Sequence, residues 1–467
     1  MKEKSMRLPS ASAVRTLGTA LLTFISLSAA HAVTPQVVSG FVDTAYMLRA
    51  DGSLWALNKT TSAQVATGVE QVSGSDYYAY ALMANGTVYA LSSRGDGLGN
   101  TVGNGFSAIS GTIGLKSDGT LWNLESGAQI GTAGGFVRIW GFDYTNFASK
   151  ADGSLWAWGG TLNGQFGDGT VSESTLTTPK QIGTAYADII SNGNSFYGLK
   201  SDGSLWAWGV NADGQLGTGT PKRCASYNYT LCEATAKQIG TGFAQVAAGS
   251  NFAMGIKTDG TLWNWGFNDG GQLGTDNNHY ATTPQKVGSG YAKIGAGYVQ
   301  SFAIKTDGTL WAWGDNRGGY LGANDPQNTN WEAYYVPYQI DSGYTNLWVG
   351  TLGVVAMKDD GSVWTWGMRF YETKPTQHLE SGLSSSVTNS ADCLFNWAEQ
   401  HYSDYLSPAG ATSATAGDYR YRYYSGSHAY LAAKGSDFHL YYLTTTGNGT
   451  PADLGNVSDW LSQANCQ

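Results

Sequence analysis

One phrase, Lys-x-Asp-Gly-x-Leu-Trp-x-Trp-Gly, recurs along this chain and restricts its fold more than any other feature. It is clearest at Lys200–Gly209, Lys257–Gly266 and Lys305–Gly314, with weaker copies beginning near Arg49, Met83, Lys116, Lys150 and Lys358. A unit repeated at this scale cannot bury its apolar face alone, so the copies must stack on one another. Their turn dipeptides are Asp51-Gly52, Asn85-Gly86, Asp118-Gly119, Asp152-Gly153, Asp202-Gly203, Asp259-Gly260, Asp307-Gly308 and Asp360-Gly361. Successive turns are separated by 34, 33, 34, 50, 57, 48 and 53 residues.

Asp-Gly or Asn-Gly between apolar runs signals a β-hairpin. A two-residue type I′ turn at Asp202-Gly203 sets Leu199 opposite Trp206, Tyr197 opposite Trp208, and Gly198 opposite Ala207 on the reverse face. The same register pairs Ile256 with Trp263, Ile304 with Trp311 and Met357 with Trp364. One face is bulky and the other is cut away by small pairs such as Ala303 with Ala312. Sheets of that shape stack bulk into hollow, and radial stacking gives a β-propeller.

A second phrase follows four hairpins, at Asn163–Gly167, Asn211–Gly217, Asn268–Gly274 and Asn316–Gly322, and a short apolar strand such as Ala244–Ala248 precedes each hairpin. Together these phrases resemble the repeat of the regulator of chromosome condensation family, over roughly residues 37–380. The resemblance implies a propeller of seven blades. This chain has eight hairpins, and its first and third copies are short and lack the second phrase. The expected fold is therefore all-β, a β-propeller of seven or eight blades, followed by a small α+β C-terminal domain.

The N-terminal segment carries Lys2, Lys4, Arg7 and Arg15, then an apolar run from Leu17 to Ala30 and the small-residue site Ala30-His31-Ala32. This pattern reads as a secretory signal peptide over residues 1–32. Its removal takes four basic residues and one acidic residue, moving the formal charge from −9 to −12. An acidic, charge-poor chain argues against nucleic acid and anionic membrane surfaces as partners. No later run is apolar enough to span a membrane, so the expected location is extracellular, cell-surface or periplasmic. The propeller is expected over 33–380 and a Ser-rich linker over 381–389.

Four cysteines in an exported chain read as two disulfides. Three pairings are possible, and proximity favours Cys224 with Cys232 and Cys393 with Cys466. In the C-terminal segment, 390–467, a helix is expected from Ser390 to about Leu406. Strands follow at Tyr419–Ser425, His428–Lys434 and Asp437–Leu443, and a short helix around Val457–Gln463. The segment resembles a small module appended to diverse exported bacterial proteins.

No nucleophile elbow, phosphate loop, metalloprotease helix or dinucleotide fingerprint is present, and no cofactor or metal is expected. The repeated Asp residues occupy equivalent turns, so their shared task is geometric. The sequence varies most after the Gly-Gln-Leu-Gly phrase, in insertions at about Asp168–Thr178, Thr218–Ala236, Thr275–Thr283 and Ala323–Val336. Equivalent loops of a propeller share one face. These carry Tyr227, Tyr229, Tyr280, Trp331, Tyr334 and Tyr335, the candidate binding residues, stiffened by the Cys224–Cys232 loop. Aromatics among small polar residues suit recognition, and the competing reading is that they pack the loops onto the rim. The functional expectation is a secreted, non-catalytic scaffold for a protein or glycan. One alternative is a glycan-active enzyme using carboxylates among Asp168, Glu173, Asp188, Glu233 and Glu332. The other is the guanine-nucleotide exchange activity that the family resemblance implies.

Overall fold

Each recurring hairpin forms the centre of one antiparallel sheet in a computed structural model of the protein. The structure describes residues 35–378 except 40–43, 58–61, 75–77, 93–96, 226–227, 276–278, 324–332, 351–352 and 368–371. Of the C-terminal segment it describes five strands between 411 and 456. Eight sheets follow in chain order, each made of consecutive strands. Blade 1 runs Gln36–Ala66, blade 2 Val69–Gly103, blade 3 Phe106–Asn123 and blade 4 Phe136–Thr184. Blade 5 runs Asp188–Gly240, blade 6 Phe243–Gly288, blade 7 Tyr291–Asp341 and blade 8 Tyr344–His378. The eighth packs back on the first, with Val355 and Val363 against Ala45, Met47 and Leu57, so the ring closes as an eight-bladed propeller. Among the described residues no strand is shared between the first and last sheets, and side-chain packing joins them. First strands lie nearest the axis and reach one another directly: Gln71 exchanges two hydrogen bonds with the Ile109 backbone (2.8 and 2.9 Å).

The hairpin turns hold three residues, where the sequence suggested two. Lys200 N–H donates to the Ser204 carbonyl and Gly203 N–H to the Lys200 carbonyl, both at 2.9 Å, with Gly203 at φ 77°. This is a type I turn closed by a left-handed glycine. The added residue moves every pairing by one. Gly198 opposes Trp206, Phe196 opposes Trp208, and Tyr197 opposes Ala207. The expected pairs of Leu199 with Trp206 and Tyr197 with Trp208 are thereby corrected. Stacking survives the shift because alternation along the third strand does not depend on the turn. Trp208 packs among Phe147, Leu155 and Ala157 of blade 4. On the reverse face, Leu205 and Ala207 receive Trp265 and Phe243 of blade 6.

The second phrase clasps these seams. Trp208 Nε1 donates to the Gln165 carbonyl (2.7 Å) and Trp313 Nε1 to the Gln272 carbonyl (2.9 Å), each crossing from one blade to the loop of the blade before. The last glycine of the phrase lies against the same indole. A Cβ on Gly274 would stand 2.8 Å from Trp313, and one on Gly322 3.0 Å from Trp366. Trp208, Trp265, Trp313 and Trp366 are fully buried. Truncating such a residue costs about 3–5 kcal/mol, a large share of a typical domain's stability. Blades 1–3 place Leu57, Leu91 and Leu124 at the corresponding position.

At the hairpin end, the first tryptophan of each phrase has a different task. Lys305 lies 4.0 Å over Trp311 and 5.1 Å over Tyr291, and Lys257 lies 4.7 Å over Trp263 and 5.1 Å over Phe243. This sandwich explains the lysine that opens the phrase. Trp263 Nε1 donates to Thr261 Oγ1 (2.9 Å), and the Thr261 hydroxyl donates to Asp259 Oδ1 (2.6 Å). The same relay runs from Trp311 through Thr309 to Asp307. The aspartates are thus fixed structural acceptors.

The C-terminal strands Ala411–Ala416, Tyr419–Tyr424, Ala429–Lys434, His439–Thr444 and Ala452–Asn456 form one antiparallel sheet in chain order. The three expected strands are present. Two flanking strands were missed because their small residues, as in Ala-Thr-Ser-Ala-Thr-Ala, lack bulky alternation. Both expected helices, the linker, the signal segment, Cys393 and Cys466 lie outside the described residues.

Two predictions follow from the clasp and the relay. Gly274→Ala, at φ +65° beneath Trp313, should cost roughly 2–4 kcal/mol in urea unfolding. Gly153→Ala, at φ +79° with nothing within 4 Å, should cost only about 1 kcal/mol. The hydroxyls of Thr120, Thr261 and Thr309, and then their backbone N–H groups, hold Asp118, Asp259 and Asp307 below the ordinary carboxylate value of 3.8. A carboxyl that is more acidic folded than unfolded stabilises the fold above the unfolded value, and that stabilisation fades as pH falls through the folded value. The melting temperature should therefore drop below about pH 4, and D259N/D307N should flatten that drop while lowering stability at neutral pH.

Candidate binding face

Chain direction sorts the loops of every blade. The turn after the first strand, the clasp and the insertion share one face, which we term the upper face. The Asp-Gly hairpins and the links between blades lie on the other. Exposed apolar side chains follow the same division. Among the described residues the large ones are Tyr78, Val137, Tyr144, Leu162, Tyr280, Tyr298, Tyr335 and Val336. All except Val137 belong to first turns, clasps or the upper ends of fourth strands.

The insertions fold as the starts of long outer strands, Ser172–Thr184, Asn228–Gly240, Tyr280–Gly288 and Tyr334–Asp341. The longest adds a short strand, Arg223–Ala225, beside Asn228–Gly240 as a fifth member of blade 5. A Cys224–Cys232 disulfide, with Cα atoms 5.2 Å apart, ties the two, as expected. Backbone hydrogen bonding joins Cys232 N–H to the Lys222 carbonyl at 2.8 Å.

The six candidate aromatics divide. Tyr227 and Trp331 lie outside the described residues, and Tyr229 is placed only as a member of the Asn228–Gly240 strand. Tyr334 is half-buried, packs into the clusters on both sides of blade 7 and lies 4.9 Å from the Tyr338 ring. Tyr280 and Tyr335 are 59% and 42% exposed. The Tyr335 hydroxyl crosses to the Asp269 carbonyl of blade 6 (3.4 Å), and the Asp269 carboxylate holds His279 Nδ1 at 2.8 Å, next to Tyr280. The rim of blades 6 and 7 thus brings Tyr280 and Tyr335 together. Nearby, burial and then the Asp269 carboxylate hold the Asp213 carboxyl above its ordinary value.

A cavity of about 600 Å³ opens at the axis of this face, walled by residues of all eight blades, most of them in or beside first turns. A second, of about 300 Å³ and mostly apolar, runs from it into the seam of blades 7 and 8, past Tyr298 and Arg317. Arg317 forks onto Asp315 with bonds of 2.6 to 3.0 Å. Sequence reading missed Tyr78, Tyr144 and Tyr298 because it followed insertions. The available signal was a tyrosine in a turn where other blades place Ser, Gly or Asn, as in Ser191–Asn194 and Gly249–Asn251.

The carboxylates considered for catalysis have separate partners. Burial opposes ionisation of Asp168, but Lys180 at 2.8 Å and the Thr170 bonds outweigh it, leaving the carboxyl below its ordinary value. Glu233 pairs with Lys237 at 2.6 Å. Asp188 accepts from Trp140 Nε1 at 3.0 Å. Glu173 lies exposed on its outer strand, and Glu332 is outside the described residues. Among the described residues no group of three or more His, Cys, Asp or Glu is placed to hold a metal ion.

Packing and exposure separate the rim tyrosines in a testable way. Tyr334→Ala should lower unfolding free energy by about 2–4 kcal/mol. Tyr280→Ala and Tyr335→Ala should each change it by less than about 1 kcal/mol. Denaturant titration of the three variants decides this.

The regulator of chromosome condensation (RCC1) repeat matches residues 202–256 and 259–304, and a second form of that repeat matches 243–272. Each matched unit starts at a hairpin turn and ends in the following blade. Solved structures give weaker likenesses. Prp20p of Saccharomyces cerevisiae, described with its binding to Gsp1p and histones, is 19% identical over 69% of this chain and 82% of its own, with a TM-score of 0.49. Yeast RCC1 (Prp20) bound to Kap60 is 17% identical over 80% and 92%, TM-score 0.49. Human WBSCR16 is 16% identical over 68% and 85%, TM-score 0.46. Comparison with curated proteins found no match. Residues 202–304 thus carry RCC1-type repeats, and they lie within a β-propeller of eight blades.

Proposed function

We propose that the protein is an exported, non-catalytic binding scaffold that grips a protein or glycan with its upper face. The observation that carries this reading is the gathering of exposed aromatics on that face, while the hairpin face is built from charged turns. Exposed apolar groups concentrated on one face mark interaction sites, whereas single scattered ones do not. Tyrosine adds contact area at low conformational cost and keeps a polar tip for hydrogen bonding. The Cys224–Cys232 link limits the ordering cost of the longest insertion.

Hydrolysis of a glycan would need two carboxylates facing one bond. Among the described residues walling the axial cavity there is one, Asp143. Export rests on the N-terminal segment, whose basic start, apolar run and small-residue end suit a secretory signal.

The test is retention of medium and cell-surface components, proteins and insoluble polysaccharides alike, on the immobilised mature chain. A Y144A/Y280A/Y335A variant should lose most of what the parent retains. A D259N/D307N variant, altered only on the hairpin face, should keep it. The opposite pattern would sink the assignment of the binding face.

A further inference from the structure

We infer that the axial cavity of the upper face is a binding site for a neutral saccharide. The inference rests on the upper face being the binding face and adds a ligand class and an inner site to it. Glycines make the cavity. Gly111, Gly141, Gly193, Gly249, Gly297 and Gly350 stand in the first turns, and they leave the wall to backbone and a few side chains. Side chains are barred by close contact at Gly111, Gly141 and Gly249. A Cβ on Gly141 would fall 2.0 Å from the Ser110 carbonyl oxygen, and one on Gly249 2.0 Å from the Phe252 ring. The turns are rigid: Asn192 donates to the Gly249 and Ser250 carbonyls (2.9 and 2.6 Å), bridging blades 5 and 6. Its Oδ1 accepts from Ser195 N–H at 2.8 Å.

The groups left over define the ligand. Among the described residues the wall carries no lysine, arginine or histidine, and so no cationic side chain for a phosphate, a carboxylate or a nucleotide. Its described polar side chains are hydroxyls, one amide and one carboxylate; Ser191 and Asn192 of blade 5 bond to turn backbone, and Thr112 from blade 3, Asp143 from blade 4 and Ser250 from blade 6 complete the set. No hydrogen bond or ion pair to another described residue occupies the Asp143 carboxylate. A carboxylate with four lone-pair sites accepts from adjacent hydroxyls of one ligand, and Thr112 and Ser250 can donate or accept. Their placement on three different blades spreads them around the mouth, which suits a ligand with many hydroxyls and does not cage a small cation.

Flat apolar surface comes from the same turns. Phe142 and Tyr298 line the cavity, Tyr298 is 55% exposed, and Tyr144, adjacent to Asp143, is 70% exposed. A pyranose presents hydroxyls at its edge and C–H groups on its face, so it can bond the rim and lie against such rings. A peptide finds less to bind, because the N–H groups of Gly249, Gly297 and Gly350 are consumed inside their own turns at 2.8 to 2.9 Å. The volume of about 600 Å³ admits a short oligosaccharide.

The test uses the full mature chain, calorimetric titration and saturation-transfer NMR, with maltotriose, cellotriose and tri-N-acetylchitotriose as probes and choline as the cationic comparison. At least one trisaccharide should bind. Tyr298→Ala and Asp143→Ala should each weaken it by about tenfold, Asp143→Asn by less, and Val137→Ala on the hairpin face should change nothing. Circular dichroism confirms that each variant is folded, and Asp143→Asn keeps the shape if Asp143→Ala does not fold. The inference is overturned if no trisaccharide binds at millimolar concentration, if the two cavity variants bind like the parent, or if choline alone binds through Asp143. Retention of a macromolecular partner with no sugar binding removes this inference and leaves the scaffold reading standing. Sugar binding with rim variants that retain everything removes the outer rim and leaves the axial site.

Discussion

The tryptophan that ends each complete phrase, seated against a glycine of the preceding blade's clasp, is the contact on which the ring depends. It couples two sequence phrases separated by most of a repeat, since Trp208 lies on Gly167 and Trp313 on Gly274. Neither can change alone. A side chain at the glycine strikes the ring, and a smaller residue in place of the indole opens a cavity in the seam. The indole N–H adds direction where it reaches a clasp carbonyl, as Trp208 does with Gln165. Seams between blades 4 and 8 share this construction. Those of blades 1–3 rely on leucine and alanine packing, which sets shape with fewer constraints.

Most of this architecture could be read from the chain. The hairpins left seven or eight blades open and the structure has eight, with the short third copy forming a three-stranded sheet. What failed was the turn. Asp-Gly serves a two-residue turn and the end of a three-residue turn equally well, and only the hydrogen bond from Gly203 to Lys200 separates them. That error exchanged the partners of Tyr197 and Phe196 without disturbing the stacking, because Trp206 and Trp208 alternate along their own strand whatever lies opposite. The lysine of the phrase had no assigned task until its sandwich between two rings was seen.

The exposed aromatics of the upper face were legible in outline and misjudged in detail. Insertions drew the eye to Tyr280, Tyr334 and Tyr335, yet one of these neighbours is packed and the others face out, a distinction that strand alternation makes only once register is known. The first turns were harder to see. Their length and glycine content look like ordinary linkage, and their convergence on the axis is a property of the closed ring that no single repeat contains. The axial cavity belongs to the assembly of blades, and a sequence read one repeat at a time does not show it.

Each matched repeat begins at a hairpin and ends inside the next sheet, so the unit of sequence and the unit of structure are out of step by half a blade. A duplicated stretch of gene of that length therefore carries the tryptophan of one seam and the clasp of the next, as Trp208 closes on Gly167 before the unit and Gly217 receives Trp265 after it, and supplies half of each flanking sheet. Insertion of such a stretch lengthens the ring by one blade and leaves every existing interface in kind. Ring size in a protein of this design can change by single steps of recombination, and an axial opening can widen without a new fold.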